Sequence, residues 1–354
     1  MKNVKSILFR LKLKGNGVVN FDSNSQKYLW NAFTTNQEKS SHDNVSFAKK
    51  RWYTDADGKV SYKLIISSNC LRHAIFIDDV MFQSPNVMHN DHLLMAMIAN
   101  PAMLLRGYLF AEKNMPTLKR SSAITMTDAE QCNGAISTLE TFARSGEKTI
   151  DENKSDTTFF KKEVVGDIEY KAIGSIDLMQ LQFISTDCVF DRLALNPDRI
   201  ELFKEILLTK FPSYKGELGY YKITGSVVEI PEYGIKLPND NVNFLVKEYL
   251  KRLLGFNIKK ASSYATTDSA EFKLVYDPLE DTMDGDNGWV SLTQNTINEL
   301  NFESHEFYSS VDTKKSAELR AELVKKAEDK VLANKVENDA KKAANATEKK
   351  SKKA

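Results

Sequence analysis

Ser67, Ser68 and Asn69, followed by Arg72 and His73, form a set that could grip a phosphate. The three small polar residues are good N-caps, and Leu71 and Ile75 lie four apart on one helix face. A helix starting there would point backbone N–H groups at an anion, which its dipole favours. Arg72 and His73 would sit close to that start, where the dipole disfavours cations, so an anion would relieve the conflict. A plain capped helix with two surface polar residues fits the same stretch.

Three other segments pair cations with aromatic rings. Lys49, Lys50 and Arg51 precede Trp52 and Tyr53. Lys259 and Lys260 precede Ser262, Ser263 and Tyr264, and Arg106 precedes Gly107 and Tyr108. Lysine, arginine and serine suit phosphate oxygens, and a ring suits a base. A solvated surface strand would carry the same charge run.

Catalytic patterns are poor. His89 and His92 have metal-like spacing without a clear third ligand, and read as a polar turn. The acidic run from Asp281 to Gly288 lacks the ligand order of a calcium loop. There is no phosphate-binding loop, nucleophile elbow or dinucleotide fingerprint. Asp156 and Asp191 are isolated carboxylates, and Asp191 with Arg192 reads as an ion pair. No metal site and no cofactor is expected.

Composition sets the frame for these residues. The 354 residues are 42% hydrophobic with a net charge of +1, enough for a sizeable core and no global call for nucleic acid. Residues 312–354 carry 13 Lys+Arg against 8 Asp+Glu, a net of +5, and the remainder is −4. A near-neutral body with a basic tail follows. Cys70, Cys132 and Cys188 are an odd number without zinc-like pairing, which fits a reducing cytoplasm. Met1 to Leu13 alternates charge with hydrophobe and is no signal peptide, and no stretch is long and apolar enough for a membrane span.

The elements that must position these groups are partly legible. Ile7, Phe9, Leu11 and Leu13 alternate in a half-buried strand, Val4 to Leu13, that enters a turn at Gly15-Asn16-Gly17 and continues to Asn20. Asp22 to Lys63 is polar, with a hairpin turn at Asp57-Gly58. His92 to Phe110 is helical and broken at Pro101. Lys113 to Asp156 reads as an inserted, partly helical excursion. Val164 to Ile173 and Ile176 to Ile184 read as two strands joined at Gly174, the second showing Gln180 and Gln182 on one face. A helix follows Pro197, a hairpin turns at Gly225 and Gly234, and Asn241 to Gly255 is an amphipathic helix. This order matches an α+β, ferredoxin-like or RRM-like core with insertions. Thr313 to Ala354 is a solvated helix fading into a disordered basic end.

Five segments together carry a resemblance. They are Gly15 to Asn20, Ser68 to His73, Leu105 to Tyr108, the long run from Phe159 through Gly166–Ser175 and Gln180–Ser185 to Arg192, and Lys260 to Tyr264. In them the chain resembles the Cascade backbone subunit of type I CRISPR systems, the Cas-seven family, and within it the compact variant branch of type I-F. The resemblance covers residues 1 to about 270, and its long segment is the specific one.

The resemblance implies an RRM-like palm over residues 1–311, with fingers and thumb insertions near 22–63 and 113–158, and a basic tail over 312–354. It implies a non-catalytic cytoplasmic subunit of a prokaryotic antiviral complex, lined up head to tail with further copies along one crRNA and presenting it to target DNA in an R-loop. Its partners would be a guide-processing endonuclease and a 5′-handle-binding subunit at the filament ends, and a recruited helicase-nuclease; no membrane is involved. It places Ser67, Ser68, Asn69, Arg72 and His73 at guide phosphates, Asn16 and Asn20 beside the RNA path, Gln180 and Gln182 on a palm strand, and Lys259, Lys260, Ser262, Ser263 and Tyr264 in a late basic strand. Lys49, Lys50, Arg51, Trp52 and Arg106 complete the RNA-binding set. Two alternatives stay open: a metal-dependent RNA endonuclease of the type III backbone kind using Asp156, and a general single-stranded RNA-binding module. The aromatic signature of ordinary RRMs is missing from the expected palm strands, which favours gripping the backbone over reading bases.

Overall fold

Ile7, Phe9, Leu11 and Leu13 are all buried, and β1 (Ser6–Asn16) is an interior strand of the main sheet. The structure is a computed structural model. It describes residues 3–22, 45–77, 90–111, 117–145, 157–187, 193–210, 216–225, 231–260, 262–277 and 287–312, with 314–319, 321–322, 325–326 and 329 beyond them. His89, Asp156, Cys188, Asp191, Arg192, the acidic run up to Asp286 and most of the basic tail lie outside the described residues.

Short β2 (Phe21–Asp22) and β3 (Val45–Ala48) follow β1, then the hairpin of β4 (Lys50–Thr54) and β5 (Val60–Ile66). Gly58 turns that hairpin at φ +77°, as the Asp57-Gly58 pair predicts. Then come α1 (Ser68–Ile75), α2 (Asp91–Ile98) and α3 (Pro101–Arg106). Pro101 opens α3 and Asn100 accepts from the Ala102 N–H at 2.8 Å, so the break expected there is a fresh helix start.

The stretch read as a partly helical excursion is strand instead. It holds β7 (Leu118–Arg120), β8 (Ile124–Met126), β9 (Ala129–Gln131) and β10 (Thr138–Ser145), between β6 (Tyr108–Phe110) and β11 (Thr157–Val164). In β7, β8 and β9 the first and last residues are buried and the middle one is not. Three-residue alternations are too short to register as a period; neighbouring β6 pairs β7, and distant strands hold β8 and β9 in place.

The two strands expected around Gly174 are one, β12 (Asp167–Asp177). Gly174 pairs with Phe9, and a Cβ there would lie 2.2 Å from the Phe9 ring. Glycine makes room for that ring and continues the strand. The second half of the expected strand is α4 (Leu178–Gln182), capped by Asp177 through the Gln180 N–H, followed by β13 (Phe183–Ser185). Leu178 and Leu181 bury together at helical spacing, which overrides the alternation of Gln180 and Gln182.

Next come α5 (Ile200–Lys210), β14 (Glu217–Ile223), β15 (Glu232–Lys236), α6 (Asn239–Leu254), β16 (Asn257–Lys260), β17 (Ser263–Val275), β18 (Val290–Ser291), α7 (Gln294–Glu299) and β19 (Tyr308–Ser310). Gly225 lies at positive φ, but Gly234 is inside β15 and turns nothing. A Cβ on it would meet the Ile184 carbonyl oxygen at 2.5 Å.

The fold is α+β with mainly antiparallel sheets. The main sheet runs β16-β17-β1-β12-β9-β5-β4, with β18 on β17 and β8 on β12. Tyr249 of α6, fully buried, meets Phe9 edge to face at 5.4 Å and lies 6.2 Å from Phe76, which caps the end of α1. These rings join helices and sheet in one core. Among the described residues no helix is long and apolar enough to cross a membrane.

Among the residues of β1 that alternate with the core, Arg10, Lys12 and Lys14 carry charge. Lys12 bonds Glu169 at 3.0 Å and Lys14 bonds Asp268 at 2.7 Å, each joining β1 to a neighbouring strand.

Candidate nucleic-acid interface

The turn after β1 is built by two close approaches. A Cβ on Gly15 would lie 2.4 Å from the Tyr264 carbonyl oxygen. Gly17 sits at φ +74°, and a Cβ on it would lie 2.6 Å from Ser263 Cβ. Ser263 Oγ donates to the Val18 carbonyl at 2.9 Å. The glycines thereby seat residues 15–18 against 262–264, uniting two segments almost 250 positions apart.

Asn20 and Phe21 leave this turn into a cationic cluster. The Asn20 carbonyl accepts from Lys49 N at 2.9 Å, and its amide donates to Ser67 Oγ at 3.3 Å. The Phe21 ring lies 4.9 Å from Lys162 Nζ and 5.9 Å from Lys260 Nζ. Lys162 Nζ donates to Ser262 Oγ at 3.1 Å. Cys70 of α1 feels both Lys260 and Lys49: burial raises its thiol pKa, and the two ammonium charges pull against it. Among the described residues, no carboxylate forms a salt bridge with Lys49, Lys162 or Lys260. Three ammonium groups, an aromatic ring and the polar side chains of Asn20, Ser67 and Ser262 thus converge beside the start of α1. Lys162 and Phe21 were not foreseen. Lys162 stands in β11, a stretch given no strand by its sequence pattern, and only the folded sheet brings it to the cluster.

The start of α1 holds an anion, and it belongs to the protein. Asp128 Oδ1 accepts from Ser68 N at 2.8 Å, and Asp128 Oδ2 pairs with Arg51 at 2.6 Å. Ser67, the N-cap, makes no side-chain cap of its own. The helix spans only eight residues, so Arg72 and His73 fall in its last turn, where the dipole favours cations. The conflict that pointed to a bound phosphate is therefore absent, and Ser68 is engaged internally. Asn69 is exposed on the first turn.

The run from Lys49 to Trp52 divides. Lys50 is largely buried and pairs with Glu163, which also accepts from Ala48 N at 2.9 Å and from Ser137 Oγ. Arg51 pairs with Asp128 and Glu130. Both cations are neutralised, contrary to the expectation that they meet phosphates; Lys49 alone of the three joins the cluster. Trp52 is 44% exposed and packs edge to face on Tyr62 at 5.3 Å. Exposed ion pairs such as Arg51's contribute at most about 1 kcal/mol. Arg51→Ala is therefore expected to move a melting curve slightly and to leave the salt dependence of RNA binding unchanged; filter binding across a salt series checks this.

Gln180 and Gln182 do not face RNA from a strand. Gln182 is 3% exposed, donates to Ser304 Oγ and the His305 carbonyl, and accepts from Phe307 N. The Gln180 carbonyl accepts from Arg120 at 2.6 Å. Ser263 is likewise buried, its hydroxyl spent on the turn. Tyr264 is exposed and in register with Asn16 on one side and Lys259 on the other, so those three share the end of the sheet. Asn16 donates to Asp167 at 3.3 Å.

Arg72, His73 and Arg106 come together at the far end of α1. Arg72 Nη2 donates to the Arg106 carbonyl at 2.8 Å. Burial lowers the pKa of the Arg106 guanidinium, and the charge of Arg72 lowers it further. Among the described residues no group of three or more His, Cys, Asp or Glu could hold a metal ion.

A family model described as type I-Fv CRISPR-associated protein Cas7fv-like matches residues 3–308. Among solved structures, a chain of a CRISPR RNA-guided surveillance complex is similar at 13% identity and a TM-score of 0.34, over 75% of this chain and 68% of that one. A chain of a CRISPR RNA-guided surveillance complex in a pre-nicking state is similar at 8% identity and a TM-score of 0.34, over 75% and 77%. No curated protein matches.

Proposed function

The chain belongs to the Cas7fv-like family of type I-Fv CRISPR-associated proteins, the crRNA-binding backbone subunits of a type I Cascade complex, and from that premise we propose where it holds the guide. The guide backbone runs past Lys49, Lys162 and Lys260, which take its phosphates, while Asn20, Ser67, Asn69 and Ser262 supply neutral hydrogen bonds. Tyr264, Lys259 and Asn16 continue the path along the end of the sheet, and Phe21 offers a ring to one base. The observation that carries this reading is the convergence of three lysines, none in a salt bridge among the described residues, around one aromatic ring and the start of α1.

Around that grip, β17, β1, β12 and β5 form an RRM-like palm. The hairpin of β10 and β11 serves as part of an insertion, and residues 312–354 form a basic tail adding sequence-independent affinity. Copies align head to tail along one guide and present it to target DNA. Other Cascade subunits hold the filament ends, and a separate helicase-nuclease degrades the target. The subunit itself is non-catalytic.

Each phosphate contact on a single strand contributes about 0.7 to the slope of log K against log salt. The triple variant Lys49→Ala, Lys162→Ala, Lys260→Ala is therefore expected to lower that slope by about 2 for guide RNA of any sequence, with an unchanged fold by circular dichroism. An unchanged slope in the folded variant would overturn the proposal.

A further inference from the structure

Glu163 is 5% exposed, and both of its carboxylate oxygens are engaged. One accepts from Ala48 N at 2.9 Å, and the other accepts from Lys50 Nζ and Ser137 Oγ. Lys50 Nζ also lies 4.5 Å from the centre of the Tyr62 ring, and the Tyr62 hydroxyl meets Ser137 Oγ at 3.2 Å. A buried carboxylate is costly unless its acceptors are filled, and a filled network holds its members in one arrangement. Here the members come from β3, β4, β5, β11 and the segment just before β10.

These members are the neighbours of the lysine cluster. Ala48 and Lys50 stand on either side of Lys49. Ala48 is also in register with Phe21, and Glu163 follows Lys162 in β11. Successive strand residues point to opposite faces, so the carboxylate that turns inward leaves Lys162 turned toward Phe21 and Ser262. The backbone alone ties these pieces weakly. Among the described residues, two residue pairs join β11 to β3 and two join β3 to β2. Ladders that short set a register poorly, and a side-chain tie across them supplies what the backbone lacks.

We propose that Glu163 is a positioning residue for the lysine cluster: its carboxylate clamps Ala48, Lys50 and Ser137, and so holds Lys49, Lys162 and Phe21 in the arrangement that meets RNA. This rests on the reading of the chain as a guide binder. The clamp has a sign that separates it from plain electrostatics. Removing a carboxylate next to this cluster adds one positive charge, which by itself favours a polyanion. Losing the clamp lets the lysines drift, which weakens the hold.

The experiment measures guide RNA binding to the full chain by filter retention across a salt series. Glu163→Gln and Glu163→Asp are each expected to lower the slope of log K against log salt by about 0.7 to 1.4, the loss of one or two phosphate contacts, with an unchanged circular dichroism spectrum. The first keeps the shape and loses the charge. The second keeps the charge and shortens the reach, and it carries the test if the first does not fold. Glu163→Gln combined with Lys50→Met is expected to restore the native slope. The amide then accepts from Ala48 N and donates to Ser137 without facing an ammonium. A purely structural role would move the melting curve and leave the slope alone. Native slopes in the folded Gln and Asp variants, beside a slope lowered by Lys162→Ala, would overturn the clamp and leave the lysine cluster as the guide's contact. A slope unmoved by Lys162→Ala as well removes both readings. A double variant as shallow as Glu163→Gln alone would assign the effect to charge and would likewise overturn the clamp.

Discussion

Arg120→Met is expected to lower the melting temperature by about 4 °C, from a loss on the order of 3 kcal/mol. Arg120 is 5% exposed at the end of β7 and donates to three backbone carbonyls: Phe183 and Gln180 at 2.6 Å each, and Leu104 at 3.3 Å. Leu104 lies near the end of α3 and Gln180 within the single turn of α4. Carbonyls at helix ends lack intrahelical partners, and a cation there also meets the favourable end of the dipole. Burial lowers the guanidinium's pKa, opposed by Tyr108 and Tyr308, and an arginine stays charged through such a shift. Methionine fills similar space but leaves three buried acceptors unpaired, each costing about 1–3 kcal/mol, partly offset by the relief of a buried charge. Arg120→Lys separates the two contributions. It restores the charge, but its single ammonium lacks the planar fork that reaches three carbonyls. Thermal denaturation should rank the native chain above Lys and Lys above Met. A Met variant melting within about 2 °C of the native chain would remove Arg120 from this role.

That pin is also a measure of what the sequence reveals. Arg120 stands in a stretch that reads as partly helical, and its acceptors lie 16, 60 and 63 positions away. Where a local period is long, as in β1 or the amphipathic α6, the element is legible because hydrophobicity alone decides its buried face. Short turns with fixed chemistry, at Gly58 and Pro101, are legible for the same local reason. The strands β7, β8 and β9 are not, since three residues define no period, and the partners of β8 and β9 are remote. α4 was missed because two amides at alternate positions imitate a strand, while the burial of Leu178 and Leu181 is a tertiary event.

The candidate site divides along the same line. Residue type pointed to Lys49, Lys50 and Arg51 equally, yet Glu163, Asp128 and Glu130 neutralise two of them from positions 77 to 113 away. The charge that remains for a guide is what the fold leaves unpaired, and a linear reading sees only the charges it starts with. Lys162 entered the cluster by the converse route, a plain strand residue carried to the right place. Asp128 shows a third case. The anion inferred at the helix start exists, but it arrives from β8–β9 rather than from a nucleic acid.

Gly17→Ala is expected to disable guide retention more deeply than the loss of any single lysine. At φ +74° a Cβ costs roughly 1–2 kcal/mol of backbone strain. The same Cβ would also stand 2.6 Å from Ser263 Cβ and 2.9 Å from the Ser262 carbonyl oxygen, contacts that only movement of the turn relieves. That movement pulls on the Ser263–Val18 hydrogen bond, then on Asn20, whose carbonyl and amide tie Lys49 and Ser67 to the turn. Phe21 and the two ammonium groups near it follow. Several contacts loosen together, so retained RNA should fall at least about tenfold in moderate salt, with a melting shift of several degrees. Gly58→Ala is the matched control. It carries the same backbone strain at φ +77°, but a Cβ there has nothing within 4 Å, and the turn lies at the far end of the β4–β5 hairpin. It should lower stability by a comparable backbone contribution and leave RNA retention intact. Equal loss of RNA in both variants would mean that the defect follows strain in general. The seating of the first turn on residues 262–264 would then not be what assembles the grip.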